Sequence, residues 1–122
     1  MQVELRRVYD VEDQEPASGE YRVLVDRLWP RGVKKERLHL DRWDKDIAPT
    51  ADLRLEIHHG RITFDEFRAR YERELDQSNA CEDLMAAARE AGADTLVLLI
   101  ASKDVEHSQG PILQHRLEQL AH

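Results

Sequence analysis

The sequence predicts an α/β fold, with a small, mainly parallel sheet flanked by helices in a single compact domain spanning residues 1–122. Residues 95–101 form a continuous apolar run of strand length, which is typical of a strand covered on both faces in a parallel sheet. In residues 21–26, Val23 and Val25 alternate with Leu24 and Asp26, which predicts a second strand. Pro30 and Gly32 end it. Helical patterns fill most of the chain between these strands, and a length of 122 residues fits one domain.

Composition narrows the classes of protein that the chain can belong to. The formal net charge of −7 argues against broad, non-specific nucleic-acid binding, which usually needs a basic domain. A single cysteine excludes a fold held by internal disulfides. The first residues lack a basic region followed by an apolar core, and no apolar run approaches the roughly 18 residues of a membrane helix. We therefore expect a soluble cytoplasmic protein with no membrane partner.

The chain opens with a short strand-like segment around Val3 and Leu5. Residues 12–20 are acidic and contain Pro16 and Gly19, so they are typical of a surface loop. We interpret this loop as a plain connection in preference to a mobile lid. The direction of the first strand stays open, because the roughly ten residues that follow it are few for a parallel crossover.

Residues 34–40 are expected to form a short helix or turn. Thr50 is then a good N-cap for a short helix that ends near Gly60. The clearest helix begins at Thr63, which forms a capping box with Glu66. Its aromatic and apolar residues repeat at intervals of three and four and predict one buried stripe. They are Phe64, Phe67, Tyr71 and Leu75.

Two further helices complete the prediction. The first follows possible caps at Ser78 and Asn79 and ends near Gly92. The last begins at Gly110 and Pro111, where the proline fits the first helical position.

Both core strands end in charged loops, and these loops meet at one edge of the sheet if the strands are parallel neighbours. The first loop offers Asp26, Arg27, Trp29, Arg31 and Lys34. The second loop offers Ser102, Lys103, Asp104, His107 and Gln109. The sequence thus predicts a candidate site at the carboxyl ends of the strands.

These residue types suit an anionic ligand. Arginine holds phosphate or carboxylate through two parallel hydrogen bonds, so Arg27 and Arg31 are candidate substrate-binding residues, together with Lys103. Trp29 could stack on a base or another ring.

His107, Asp26 and Asp104 are the candidate catalytic residues. His107, with either carboxylate, could transfer a proton near neutral pH. The alternative is structural: Asp26 pairs with Arg27 inside the fold, Trp29 packs in the core, and His107 is a solvated loop residue. The sequence alone favours neither interpretation.

The usual nucleotide-binding loops and the G-x-S-x-G elbow are absent from the sequence. There is no Cys/His pattern for zinc, and His58 and His59 point about 100° apart on a helix. We therefore expect no metal and no cofactor.

The residues of the two charged loops, together with several other motifs, resemble the YeaO-like family of uncharacterised bacterial proteins, a domain of unknown function (DUF 488). The resemblance covers nearly the whole chain. It rests on YRVLVDRLWPRG at residues 21–32, Trp43-x-Lys45-x-Ile47-Ala48-Pro49, Leu53-Arg54, Phe67-x-x-x-Tyr71-x-x-Glu74-Leu75 and Lys103-Asp104-x-x-His107. It implies a compact α/β domain and supplies no established activity. The family pattern carries onto Asp26, Arg27, Trp29, Pro30, Arg31, Gly32, Lys45, Lys103, Asp104 and His107, so that Lys45 joins the candidate binding residues.

The chain departs from the family pattern in two stretches. Family members usually have Trp-Phe and then His-Asp-Pro after the Leu-Arg pair, where this chain has EIHHG at residues 56–60. Their later His-Asn-His stretch corresponds to His107-Ser108-Gln109. If these positions belong to a site, its function is altered or lost in this member.

Two functions remain open at this point. The first, which we favour from the sequence, is an enzyme that acts on a small anionic substrate, either phosphorylated or nucleotide-like. The second is a non-catalytic module that senses an anionic metabolite or docks on a protein partner. The enzyme requires His107 within about 3 Å of a carboxylate or of a substrate position. A nucleic-acid partner ranks third, and the sequence is compatible with a monomer or a homodimer.

Overall fold

The computed structural model describes residues 1–121 and contains one sheet of four parallel strands. The strands are β1 (Gln2–Arg7), β2 (Glu20–Leu24), β3 (Arg42–Trp43) and β4 (Thr95–Ile100). Their order across the sheet is β1-β4-β2-β3, and every neighbouring pair is parallel. The predicted α/β fold with a small parallel sheet is confirmed.

Helices cover both faces of this sheet. They are α1 (Val8–Val11), α2 (Ala51–His58), α3 (Phe64–Asp76), α4 (Ala80–Glu90) and α5 (Gln109–Leu120). Two short 3₁₀ turns, Lys35–Arg37 and Val105–His107, lie in the loops. No helix in residues 1–121 is long and apolar enough to cross a membrane.

Strand β4 is central, which explains why its apolar run is continuous. Leu96, Leu98 and Ile100 belong to the larger core cluster, which is built with α2, α3, α4 and α5. Val97 and Leu99 point to the opposite face and pack in a smaller cluster with α1. Because both faces of β4 are covered, all five of these side chains are fully buried.

Strands β1 and β2 run parallel although the connection between them is short. They are not neighbours, because β4 pairs with both and lies between them. The connection, residues 8–19, contains the one-turn helix α1 and crosses over a single strand. It lies at the lower limit of about a dozen residues for a parallel crossover.

The predicted helix starts are largely confirmed. Thr50 accepts a hydrogen bond from the Leu53 N–H, and both hydrogen bonds of the Thr63–Glu66 capping box are present. The last helix differs from the prediction. It begins at Gln109, with Ser108 as its N-cap, so Pro111 is the third helical residue. Proline is tolerated there because the N–H groups of the first turn have no partner within the helix.

Candidate functional site

A cleft of about 530 Å³ lies at the carboxyl ends of β2 and β4. The loop after β2 supplies residues 26–31 to its wall. The loop after β4 supplies residues 101–102 and 107–108, and Gln109 follows as the first residue of α5. Helix α2 and the segment before it supply Ala48, Pro49, Arg54, Ile57 and His58, and α1 and α3 contribute Tyr9 and Phe67. The two charged loops meet as the sequence predicts, because β2 and β4 are parallel neighbours.

Asp26 ties the first loop to the second. One carboxylate oxygen, Oδ2, accepts a hydrogen bond from the Ala101 N–H at 2.8 Å. The other, Oδ1, accepts one from the Gln109 side-chain amide at 2.6 Å. The backbone carbonyl of Asp26 accepts a third hydrogen bond from the Trp43 indole at 2.8 Å. Asp26 therefore fixes the wall of the cleft with both of its carboxylate oxygens.

Burial raises the pKa of Asp26 above its ordinary value of 3.8. The hydrogen bonds from Ala101 and Gln109 and the charge of Arg54 favour the ionised form and oppose this change without cancelling it. The buried carboxyl group consequently binds its proton more tightly in the folded chain than in the unfolded one.

This raised pKa predicts how stability depends on pH. The contribution of Asp26 to the free energy of unfolding is complete below pH 3.8 and decreases as the pH rises through the higher pKa of the folded state. We expect the stability of the wild type, measured relative to Asp26→Asn by urea unfolding, to fall over this range and then to stay constant. A relative stability that increases with pH would contradict the raised pKa.

Arg27 connects the first loop to the segment that precedes α2. Its Nε donates to the Pro49 carbonyl at 2.9 Å, and its Nη2 donates to the Ala48 carbonyl at 3.3 Å. The half-buried guanidinium is therefore held in place, while it also lines the cleft. Its remaining N–H groups have no hydrogen-bond partner among residues 1–121 and can bind an anion.

Trp29 is partly a core residue. Its indole N–H donates to the Val33 carbonyl at 2.7 Å, and its ring packs edge-on against Trp43 with centroids 5.3 Å apart. It also lines the cleft. Lys45 places its ammonium group 4.0 Å from the centroid of the Trp43 ring and is not part of the cleft wall.

Three basic side chains of the wall are exposed and have no tertiary ion pair in the part of the chain that the structure describes. They are Arg31, Arg54 and His58. Gly32, at φ +78°, turns the chain directly after Arg31, and the Arg31 carbonyl accepts a hydrogen bond from the Tyr9 hydroxyl at 3.1 Å. The sequence prediction omitted Arg54 and His58. Their spacing of four residues on the predicted helix is the signal that could have identified them.

His107 and Asp104 form a pair at the rim. The His107 Nδ1 lies 2.9 Å from Asp104 Oδ2, and the two side chains are 62% and 67% exposed. The His107 ring also packs edge-on against Phe64 with centroids 5.3 Å apart. His107 lines the cleft, whereas Asp104 and the exposed Lys103 do not.

The structure thus brings together five of the eight candidate site residues. Those that line the cleft are Asp26, Arg27, Trp29, Arg31 and His107. Those that lie outside its wall are Lys45, Lys103 and Asp104. Among residues 1–121, no group of three or more His, Cys, Asp or Glu side chains is arranged to hold a metal ion.

Comparison with known proteins identifies the family of the chain. A family described as "Inactive DUF488-N3 subclade" matches residues 2–122. The chain belongs to the DUF488 family. It is 38% identical to the uncharacterized protein YeaO of Escherichia coli (strain K12) over 120 residues, which cover 98% of this chain and 100% of YeaO. It is also 38% identical to the uncharacterized protein Rv3073c of Mycobacterium tuberculosis (strain ATCC 25618 / H37Rv) over 115 residues, 94% of this chain and 92% of that protein. No solved structure matches the chain.

The two stretches compared above with the YeaO-like pattern, residues 56–60 and 107–109, both contribute to the cleft. His58 lies on α2, and Ser108 and Gln109 are the N-cap and the first residue of α5. Gln109 is the residue that donates to Asp26.

Proposed function

We propose that this DUF488 member is a non-catalytic binding domain whose cleft captures a small anionic ligand. The observation that carries the proposal is the charge of the cleft. Three arginines and two histidines line it, with a single carboxylate, in a chain whose net charge is −7. Positive charge is therefore concentrated in the cleft although the chain as a whole is acidic, and a ligand in the open cleft can reach it.

The proton-transfer groups support a binding role over a catalytic one. Both oxygens of Asp26 accept hydrogen bonds from the fold, so this carboxylate serves the scaffold. The pair of His107 and Asp104 is exposed at the rim, where water competes for both groups. A general base is more effective when it is held in a site that excludes water. The description of the matching DUF488 subclade as inactive agrees with this interpretation.

The proposal is tested by a thermal-shift screen with inorganic phosphate, nucleoside monophosphates and small carboxylates. A ligand at 100 times its dissociation constant should stabilise the protein by about 2.7 kcal/mol. We expect Arg27→Ala and Arg54→Ala each to weaken the binding of a hit by roughly tenfold or more, because each removes a charged hydrogen-bond donor worth about 1.5–3 kcal/mol.

Lys103→Ala and Lys45→Ala are matched controls, because each removes one positive charge outside the cleft wall. These two variants should bind the hit as the wild type does. No stabilisation by any anion would refute the proposal. An equal loss of affinity in the lysine variants would also refute it, because binding would then follow net charge and not the cleft.

An enzyme is the second candidate, and the 2.9 Å separation of His107 and Asp104 favours it. In that function Arg27 and Arg31 would hold an anionic substrate, and His107 would move a proton. The test is to incubate each ligand found in the screen with the protein and to look for a product. Turnover that His107→Asn abolishes without loss of ligand affinity would establish the enzyme and refute the non-catalytic proposal.

A further inference from the structure

We infer that the ligand of this cleft carries two anionic groups joined by an apolar spacer. The inference rests on the proposed function, which requires only that the cleft binds an anion. The inference adds that the ligand has two separated charges, because the basic residues of the cleft are divided between two walls.

The two walls belong to opposite faces of the sheet. Arg54 and His58 lie on α2, which packs through Leu53 into the larger core cluster. Arg31 lies beside α1, because its carbonyl accepts the hydrogen bond from Tyr9. Helix α1 packs through Val8 and Val11 into the smaller cluster on the other face. The cleft therefore runs across the carboxyl edge of the sheet, with positive charge at both ends.

Arg27 strengthens only one of these ends. Its bonds to the Ala48 and Pro49 carbonyls direct its guanidinium towards the segment that leads into α2. Arg27, Arg54 and His58 thus serve one anionic group, and Arg31 serves the other. A ligand with one charge should use the stronger end and leave Arg31 without a partner.

The cleft is open, and its wall is more apolar than polar. Leu28 lines the cleft and, at 58%, is the most exposed large apolar side chain among residues 1–121. Pro30, Pro49, Ile57 and Phe67 also line the cleft with apolar atoms. A volume of about 530 Å³ is far more than one phosphate or carboxylate group fills, and it suits a ligand with a body of its own. An alkyl or aromatic spacer would cover Leu28.

Isothermal titration with straight-chain carboxylates tests the inference. The dicarboxylates adipate, suberate and sebacate are compared with the monocarboxylates hexanoate, octanoate and decanoate, so that each pair has the same chain length. We expect the best dicarboxylate to bind about tenfold more tightly than its monocarboxylate, because the second charge gains a charged hydrogen bond with Arg31.

The variants separate the two ends of the cleft. Arg31→Ala should reduce the affinity of the dicarboxylate to that of the monocarboxylate and leave the monocarboxylate unchanged. Arg54→Ala should weaken both. Arg70→Ala removes an exposed arginine of α3 that does not line the cleft, and it should change neither. Circular dichroism checks that each variant is folded.

Two results overturn the inference and leave the proposed function intact. One is equal affinity within every pair of acids, and the other is an Arg31→Ala variant that weakens the monocarboxylate as much as the dicarboxylate. If neither series of acids binds, the inference is also wrong. Inorganic phosphate binding that depends on Arg54 would then preserve the proposed function, and its absence would refute both.

Discussion

Tyr71→Ala is expected to lower the free energy of unfolding by about 3–5 kcal/mol, the range for truncating a large buried aromatic residue. Tyr71 is fully buried on α3 and stacks on Phe67 with centroids 6.1 Å apart. Its hydroxyl donates to the Ile47 carbonyl at 2.7 Å. The substitution therefore leaves a cavity and an unpaired buried carbonyl, and urea unfolding measures the combined cost.

Tyr71→Phe is the matched control, since it keeps the ring and removes only the hydroxyl. We expect a loss of about 1–2 kcal/mol, because one buried hydrogen bond is broken and the Ile47 carbonyl loses its partner. The next two residues, Ala48 and Pro49, supply the carbonyls that hold Arg27. Tyr71→Phe should therefore also weaken anion binding. Unchanged stability in Tyr71→Phe would show that the hydroxyl does not hold this segment.

The large elements were predictable because local patterns determine them. The apolar run of β4 requires cover on both faces, and the capping box at Thr63 and Glu66 fixes the start of α3 through contacts three residues apart. Strand β3 was not predicted, because it has two residues and forms only by pairing with β2. The direction of β1 could not be inferred either, since it depends on β4 pairing between β1 and β2, which is a long-range contact.

The sequence predicted only those residues of the candidate site that lie in the loops directly after the strands. Asp26, Arg27 and Arg31 follow a strand end, so the fold class alone brings them to the edge of the sheet. Whether a side chain at that edge faces the cleft depends on its neighbours. Lys45 is drawn to the ring of Trp43 instead. Arg54 faces the cleft because the Thr50 cap sets the start and rotation of α2. This helix lies far along the chain from either strand, so the strand ends do not predict it.

Asp26 and Arg27 shape the cleft by connecting β2 to two different segments. Asp26 holds the loop after β4 through Ala101 and Gln109, and Arg27 holds the segment before α2 through Ala48 and Pro49. The sequence permitted a direct ion pair between them, yet each reaches a partner in a different segment. The charged turn after β2 therefore organises the walls in addition to lining the cleft.

Asp26→Ala is accordingly expected to lower the free energy of unfolding by about 2–4 kcal/mol. The substitution leaves the Ala101 N–H and the Gln109 side-chain amide without their acceptor, and an unsatisfied buried donor costs about 1–3 kcal/mol. Asp104→Ala is the control, because that carboxylate is 67% exposed and its pairing with His107 should contribute less than about 1 kcal/mol. Urea unfolding of both variants measures the difference. Equal stability of the two would mean that the cost of burying Asp26 cancels its hydrogen bonds, and the loop after β4 would then be held by other contacts.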